Sequence, residues 1–390
     1  MRNSRRSGIF MPPDDCHTEH EKMKESTKLD SLTVFRFVAA ASVVIFHYGR
    51  DTAVYKALPA VLAAGSIAVT FFFVLSGFVI SISAHGRKFD LFRFYVNRVA
   101  RIFPVYILAL LAVLFAVNLD GKGLDFFLSL TMMQSWFSPY PLTLNMPGWS
   151  VSVEVFFYIV APAMIVLAGR WGARSWLGWA SISIIVWLVT QFVLSWVNKS
   201  QFHKDNFSFA NDLVNYFPVS HFCSFLLGFT AGIAYKNGVL VNGITEREKR
   251  LIFILSVCLV VLLSKNGRRL NDFFGESFAY GSSFYSVVFS FFIYSCALSD
   301  KFISKAISVP ALVLLGEASY SLYIMQMPIY MYFDMVFPKT LSWGGEYRFW
   351  LYFTILLAVS IALFVYVERP LSLLVKRKIS VGMRRPVIPI

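Results

Sequence analysis

Five ionisable side chains stand in apolar stretches where a lipid bilayer tolerates few. Arg36 and His47 lie in SLTVFRFVAAASVVIFHYG, Arg98 and Arg101 enter the run FYVNRVARIFPVY, and Glu154 is embedded in GWSVSVEVFFYIVAP. An arginine or acid at a helix centre costs roughly 2.5–3.5 kcal/mol on insertion scales, so intramembrane charge points to function. Arg36 and His47 are eleven residues apart. That spacing is three helical turns plus about 20°, which puts both on one face, about 16 Å apart along the axis. Histidine is the side chain best suited to move protons near neutral pH; the plainer alternative is an imidazole bonded to a neighbouring helix carbonyl. Arg98 and Arg101, at i and i+3, share a helix face, and paired guanidinium forks suit phosphate or carboxylate. Arginines at a cytoplasmic helix end are also ordinary topology signals that snorkel readily. Ser150, Glu154 and Tyr158 recur every four residues and make a polar stripe on an otherwise apolar helix. The carboxylate needs a partner or a proton. It could orient His47, pair with Arg36, or serve only as half of a structural ion pair.

Elements able to hold such groups must cross a membrane. Of 390 residues, 57% are hydrophobic and 15% charged, with mean hydropathy +0.62. The apolar residues fall in separate long runs, which predicts an all-α, polytopic membrane helix bundle. About ten transmembrane helices are expected, over 32–49, 62–84, 99–118, 149–168, 176–197, 216–235, 250–264, 278–298, 310–335 and 349–368. The run 250–264 is short. The stretch 124–138 is apolar but shorter than a span, and reads as re-entrant or as a cavity lining. Trp149, Trp176, Trp196, Tyr216 and Trp350 fit interfacial belts.

An even number of spans puts both termini on one side. With the termini in the cytoplasm, the inner segments hold roughly 25 Lys and Arg and the outer loops about 10, which favours that orientation. Residues 1–29 read as a mobile cytoplasmic polar tail without a cleavable signal, the first span acting as the insertion signal. Residues 30–370 form the membrane domain, and 371–390 a basic cytoplasmic tail that anchors topology. The net charge of +14 is explained by those basic inner loops, with no soluble module to bind nucleic acid. Cys16, Cys223, Cys258 and Cys296 show no metal or disulfide spacing. His17, His20, His85 and His203 lie in tails or loops, and His221 at a span start reads as structural, so no metal site is expected. Ser76-Gly77 and Ser319-Tyr320-Ser321 suit close helix packing.

The motifs together resemble the acyltransferase-3 family of bacterial membrane acyltransferases, in the form without a fused hydrolase-like domain. The likeness runs from about residue 29 to 370, through LDSLTVFRFVAAASVVIFH, FFFVLSGFVI, FYVNRVARIFPVY, MPGWSVSVEVFFY, SYSLYIMQMPI and VERP in family order. The resemblance implies that His47 of the Arg-x10-His motif is catalytic. It implies that Arg98 and Arg101 of the Arg-x2-Arg motif serve donor binding. Glu154 matches the acid of an element that includes Trp149 and Ser150. It further implies transfer of acetyl, or another short acyl group, to a hydroxyl of a cell-envelope or exported polysaccharide. The donor implied is cytoplasmic acetyl-CoA or another acyl-CoA, a substrate rather than a permanently bound cofactor. The expected site is the bacterial cytoplasmic (inner) membrane. Gln326 stands where many relatives carry a late histidine, and Tyr95 where some carry serine.

On this reading Arg98, Arg101 and Arg36 hold the phosphates of acyl-CoA, and the pantetheine arm carries its thioester toward His47. The imidazole then acts as general base or carries the acyl group covalently. Glu154 orients it or balances its charge, with Trp149 and Ser150 at the substrate site. A glycan transporter or exporter also buries Arg, His and Glu, but commonly shows internal repeats with paired broken helices, which this sequence lacks. An inert scaffold gives no reason to bury His47 and Glu154.

Overall fold

The computed structural model describes residues 14–57, 65–84, 89–117, 120–170, 175–199, 208–241, 243–266, 283–298, 301–338 and 344–382. Among them every regular element is helical. Helix α1 spans Asp14–Tyr48, so the backbone of 14–29, within the tail expected over 1–29, continues the first span outward as helix. The short α2 (Ala53–Ala57) leads to α3 (Gly65–Ala84) and α4 (Leu91–Ala116). Asp90 caps α4, its side chain accepting from the Arg93 N–H at 3.0 Å, which satisfies one of the orphan donors of the first turn.

The stretch 124–138 does not cross. It holds α5 (Gly123–Leu130), a turn and a 3-10 turn Gln134–Trp136. Eight residues of helix reach about 12 Å, far short of a hydrocarbon core of about 30 Å. Tyr106 Oη donates to Ser129 O at 2.7 Å, pinning α5 to α4.

Next come α6 (Gly148–Arg170), α7 (Ser175–Lys199), α8 (Phe209–Asn215) and α9 (Phe222–Lys236), then α10 (Glu246–Lys265), α11 (Ser286–Leu298) and α12 (Lys301–Ile307). Thr245 and Glu248 form a reciprocal capping box at the start of α10. The Thr245 N–H and hydroxyl hold the Glu248 carboxyl below the usual carboxylate range. The last elements are α13 (Pro310–Glu317), α14 (Ser319–Val336), α15 (Gly345–Leu363), a π turn Phe364–Glu368, and α16 (Arg369–Gly382).

Among the described residues, seven segments are long and apolar enough to cross a membrane: Asp30–Tyr48, Ile67–Ala84, Leu91–Ala116, Gly148–Arg170, Trp176–Lys199, Phe209–Lys236 and Gly345–Arg377. The other three expected spans are helical where described, residues 278–282 lying outside the described residues, but differ in form. The apolar part of α10 follows a charged first turn, α11 is short, and 310–335 is broken at Ala318 into α13 and α14.

Helix α3 is the hub. It packs on α9 most extensively, and on α1, α11 and α6. The α3–α9 contact has no room for a side chain. A methyl at Gly228 would lie 1.8 Å from Val74 O, and one at Gly77 2.1 Å from Phe225 O. Such close backbone approach is how small residues let membrane helices associate. Gly316 makes the same kind of contact between α13 and α1, where a methyl would lie 2.0 Å from Thr33 O.

Candidate active site

Where α1, α3, α4, α6 and α14 meet, they line a partly open cavity of about 240 Å³. Its polar lining includes Arg36 from α1, Arg98 and Arg101 from α4, Ser150 and Glu154 from α6, and Ser319, Tyr320 and Tyr323 from α14. Its apolar lining comes mostly from α3, with Val69, Phe72, Phe73 and Val79 beside Ser76. Arg36, Arg98, Arg101, Ser150 and Glu154, singled out on three separate helices, therefore line one cavity.

Each polar group is positioned from more than one helix. The Arg98 guanidinium lies 5.3 Å from the centre of the Tyr158 ring and 5.5 Å from that of Phe94, a cation–π arrangement that orients the fork. The Tyr158 hydroxyl donates to Glu154 Oε1, as the four-residue spacing on α6 allows. Ser150 Oγ donates to Pro147 O at 3.1 Å and lies 2.9 Å from Tyr323 Oη, which ties α6 to α14. Tyr320 Oη donates to Ile102 O at 3.0 Å, tying α14 to α4 beside Pro104.

Arg36 feels Arg101 as a like charge and Glu368 and Glu154 as opposite ones. Yet among the described residues no carboxylate lies within 4.0 Å of the guanidinium of Arg36, Arg98 or Arg101. Three cationic forks thus face a common space without being closed off by direct ion pairs. Such a space suits an anion with several oxygens.

His47 is placed apart from this group. It is half-buried on α1 beyond Arg36, its ring 5.0 Å from that of Phe46 and 6.0 Å from that of Tyr48. It is not among the residues lining the cavity. Glu154 therefore faces the arginines and Tyr158, and the arrangement in which it orients His47 is not the one found here. Sharing a helix face with Arg36 does not bring the imidazole into the same cavity, because the lining contributed by α1 runs only from Leu32 to Arg36.

Trp149 also stands outside the cavity. It packs edge-on to Phe73 at 6.0 Å, near Tyr216 at 5.2 Å and His221 at 5.5 Å. His221, buried, lies with Nε2 3.0 Å from Asn215 O, a packing role consistent with its place at a helix start. Gln326 is fully buried, its Nε2 donating to Tyr323 O at 2.7 Å.

One residue of this neighbourhood went unassigned in the sequence. Glu368 is buried, accepts from Ser321 Oγ, and has Arg101 and Arg36 as its charged neighbours. The signal that could have found it is Pro370, which forces a helix irregularity at that point.

A family model described as an acyltransferase domain (acyltransferase-3) matches residues 29–369. The chain is similar to "Acyltransferase MdmB" of Streptomyces mycarofaciens, 29% identical over 54% of this chain and 59% of the relative. It is also similar to "O-acetyltransferase OatA" of Staphylococcus aureus strain NCTC 8325, 22% identical over 82% of this chain and 53% of the relative. A putative O-acetyltransferase of Staphylococcus aureus strain MSSA476 is 24% identical over 85% of this chain and 58% of the relative. The chain thus spans between half and three-fifths of the length of these curated relatives. No solved structure matches.

Proposed function

The chain belongs to the acyltransferase-3 family, and from that premise we propose that it is a membrane O-acyltransferase drawing on acyl-CoA. It moves an acetyl or another short acyl group to a hydroxyl of a cell-envelope or exported polysaccharide, in the bacterial cytoplasmic membrane with both termini inside. The observation that carries this reading is the cavity itself. Arg36, Arg98 and Arg101 converge there from two helices with, among the described residues, no carboxylate in direct ion-pair contact.

In this mechanism the three guanidiniums hold donor phosphates, with Arg98 oriented by the Tyr158 and Phe94 rings. Glu154, held by Tyr158, limits the excess positive charge while no donor is bound. The apolar wall of Phe72, Phe73 and Val69 suits the pantetheine arm. The arm extends from the cavity toward His47, and the axial distance of about 16 Å between Arg36 and His47 is comparable to its length. His47 takes the proton from the acceptor hydroxyl as its oxygen attacks the thioester carbonyl, and the CoA thiolate leaves and is protonated. Such assistance is typically worth about 10²–10⁴-fold.

The test is thioester consumption by the purified full chain supplied with acetyl-CoA and an extract of envelope glycans. Release of free thiol together with ester-linked acetyl on the glycan is expected. Glycan movement without thioester loss would reject enzymatic transfer in favour of transport.

A further inference from the structure

Behind the arginine cavity lies a carboxylate that the donor reading leaves without a task. Glu368 closes the π turn Phe364–Glu368, and the cause is local. Pro370, two residues on, has no N–H to give, and its ring crowds the carbonyl of Tyr366. The helix widens in response, the Arg369 N–H reaching back to Phe364 O. Widened turns of this kind recur at functional positions.

The side chain so placed is only 7% exposed. Ser321 on α14 donates a hydrogen bond to Glu368 Oε1, which fixes the carboxylate's direction. The π turn packs on α4, the helix that carries Arg101. The charged groups Glu368 faces are Arg101 and Arg36, from two different helices. Glu368 is not part of the cavity lining, so it addresses those guanidiniums from outside the ligand space.

We infer that Glu368 is a positioning residue of the donor site: it holds the mutually repelling guanidiniums of Arg36 and Arg101 in the arrangement that receives phosphate. The inference rests on reading the cavity as the CoA site. Two effects of losing this carboxylate oppose each other. Removing it adds one net positive charge, which by Coulomb attraction alone would tighten a polyanion. It also removes the buried carboxylate that faces both of these like charges, which stand on separate helices. Forks must match phosphate oxygens in direction as well as in charge. Positioning predicts weaker binding and simple charge balance predicts tighter binding, so the sign of the effect decides.

CoA itself is the probe, titrated into detergent-purified full chain with binding read calorimetrically. Glu368→Gln is expected to weaken CoA about tenfold or more, and Glu368→Asp, which keeps the charge, to recover most of that loss. CoA bound equally well or more tightly by Glu368→Gln overturns the inference, as does an Asp variant no better than Gln. Should Glu368→Gln fail to give a folded, monodisperse protein, Ser321→Ala carries the test. It retains the carboxylate but frees it, and a threefold or larger weakening is expected; unchanged binding overturns the inference. A wild-type chain that binds no CoA brings down the donor reading and this role together. Wild-type binding with indifferent variants removes only the role of Glu368.

Discussion

At the scale of the residue, Arg98 shows how surroundings decide what a charge can do. Its guanidinium lies over two aromatic rings, and the nearer ring belongs to the tyrosine that also holds Glu154. Arg98→Lys keeps the charge but loses the planar fork and its seat on those rings. CoA affinity is expected to fall about tenfold, measured by titration, with the melting temperature little changed. An equal affinity would show that charge alone suffices there. His47 poses the sharper question, because the structure holds it outside the arginine cavity. His47→Ala should lower acyl transfer by about 10²–10⁴-fold at matched abundance in the membrane. CoA binding should stay near the wild-type value, since the imidazole stands away from the phosphate site. Full transfer activity in that variant would remove His47 from the mechanism.

At the scale of the element, the sequence made some features readable and hid others for definite reasons. The described parts of the ten apolar runs are largely helical, because a period of 3.6 and sustained hydropathy are local properties. The break at Ala318 was not read, although Gly316, Glu317 and Ser319 mark it in an otherwise largely apolar run; α13 and α14 each pack on α1. The grouping of Arg36, Arg98, Arg101 and Glu154 was legible because each charge is costly in its own run. The separation of His47 from them was not, since helical phase gives direction but not the depth of a cavity. Ser76-Gly77, read as a close-packing pair, does sit at the α3–α9 contact. Gly228→Ala should destabilise the chain by roughly 1–3 kcal/mol, as overpacking does, read as a lower melting temperature in detergent. The control is Gly169→Ala near the end of α6, where an added methyl meets nothing within 4 Å. It should leave stability unchanged or slightly raised, as alanine favours helix over glycine.

At the scale of the whole molecule, the bundle places its charged cavity toward one end and its half-buried histidine toward the other. The orientation we propose follows from the distribution of Lys and Arg. Single cysteines added near residue 5 and residue 388, in a background lacking the native ones, should both resist a membrane-impermeant thiol reagent in intact cells. Labelling of one end alone would mean an odd number of crossings. The glycine-lined junction of α3 and α9 has a consequence for how such a machine could be altered. Two backbones already in van der Waals contact cannot slide or spread, so the wall bearing Phe72, Phe73 and Val79 acts as a fixed gauge. Any selection that widens the arginine cavity should therefore yield its changes on α4, α6 or α14, which line its other sides.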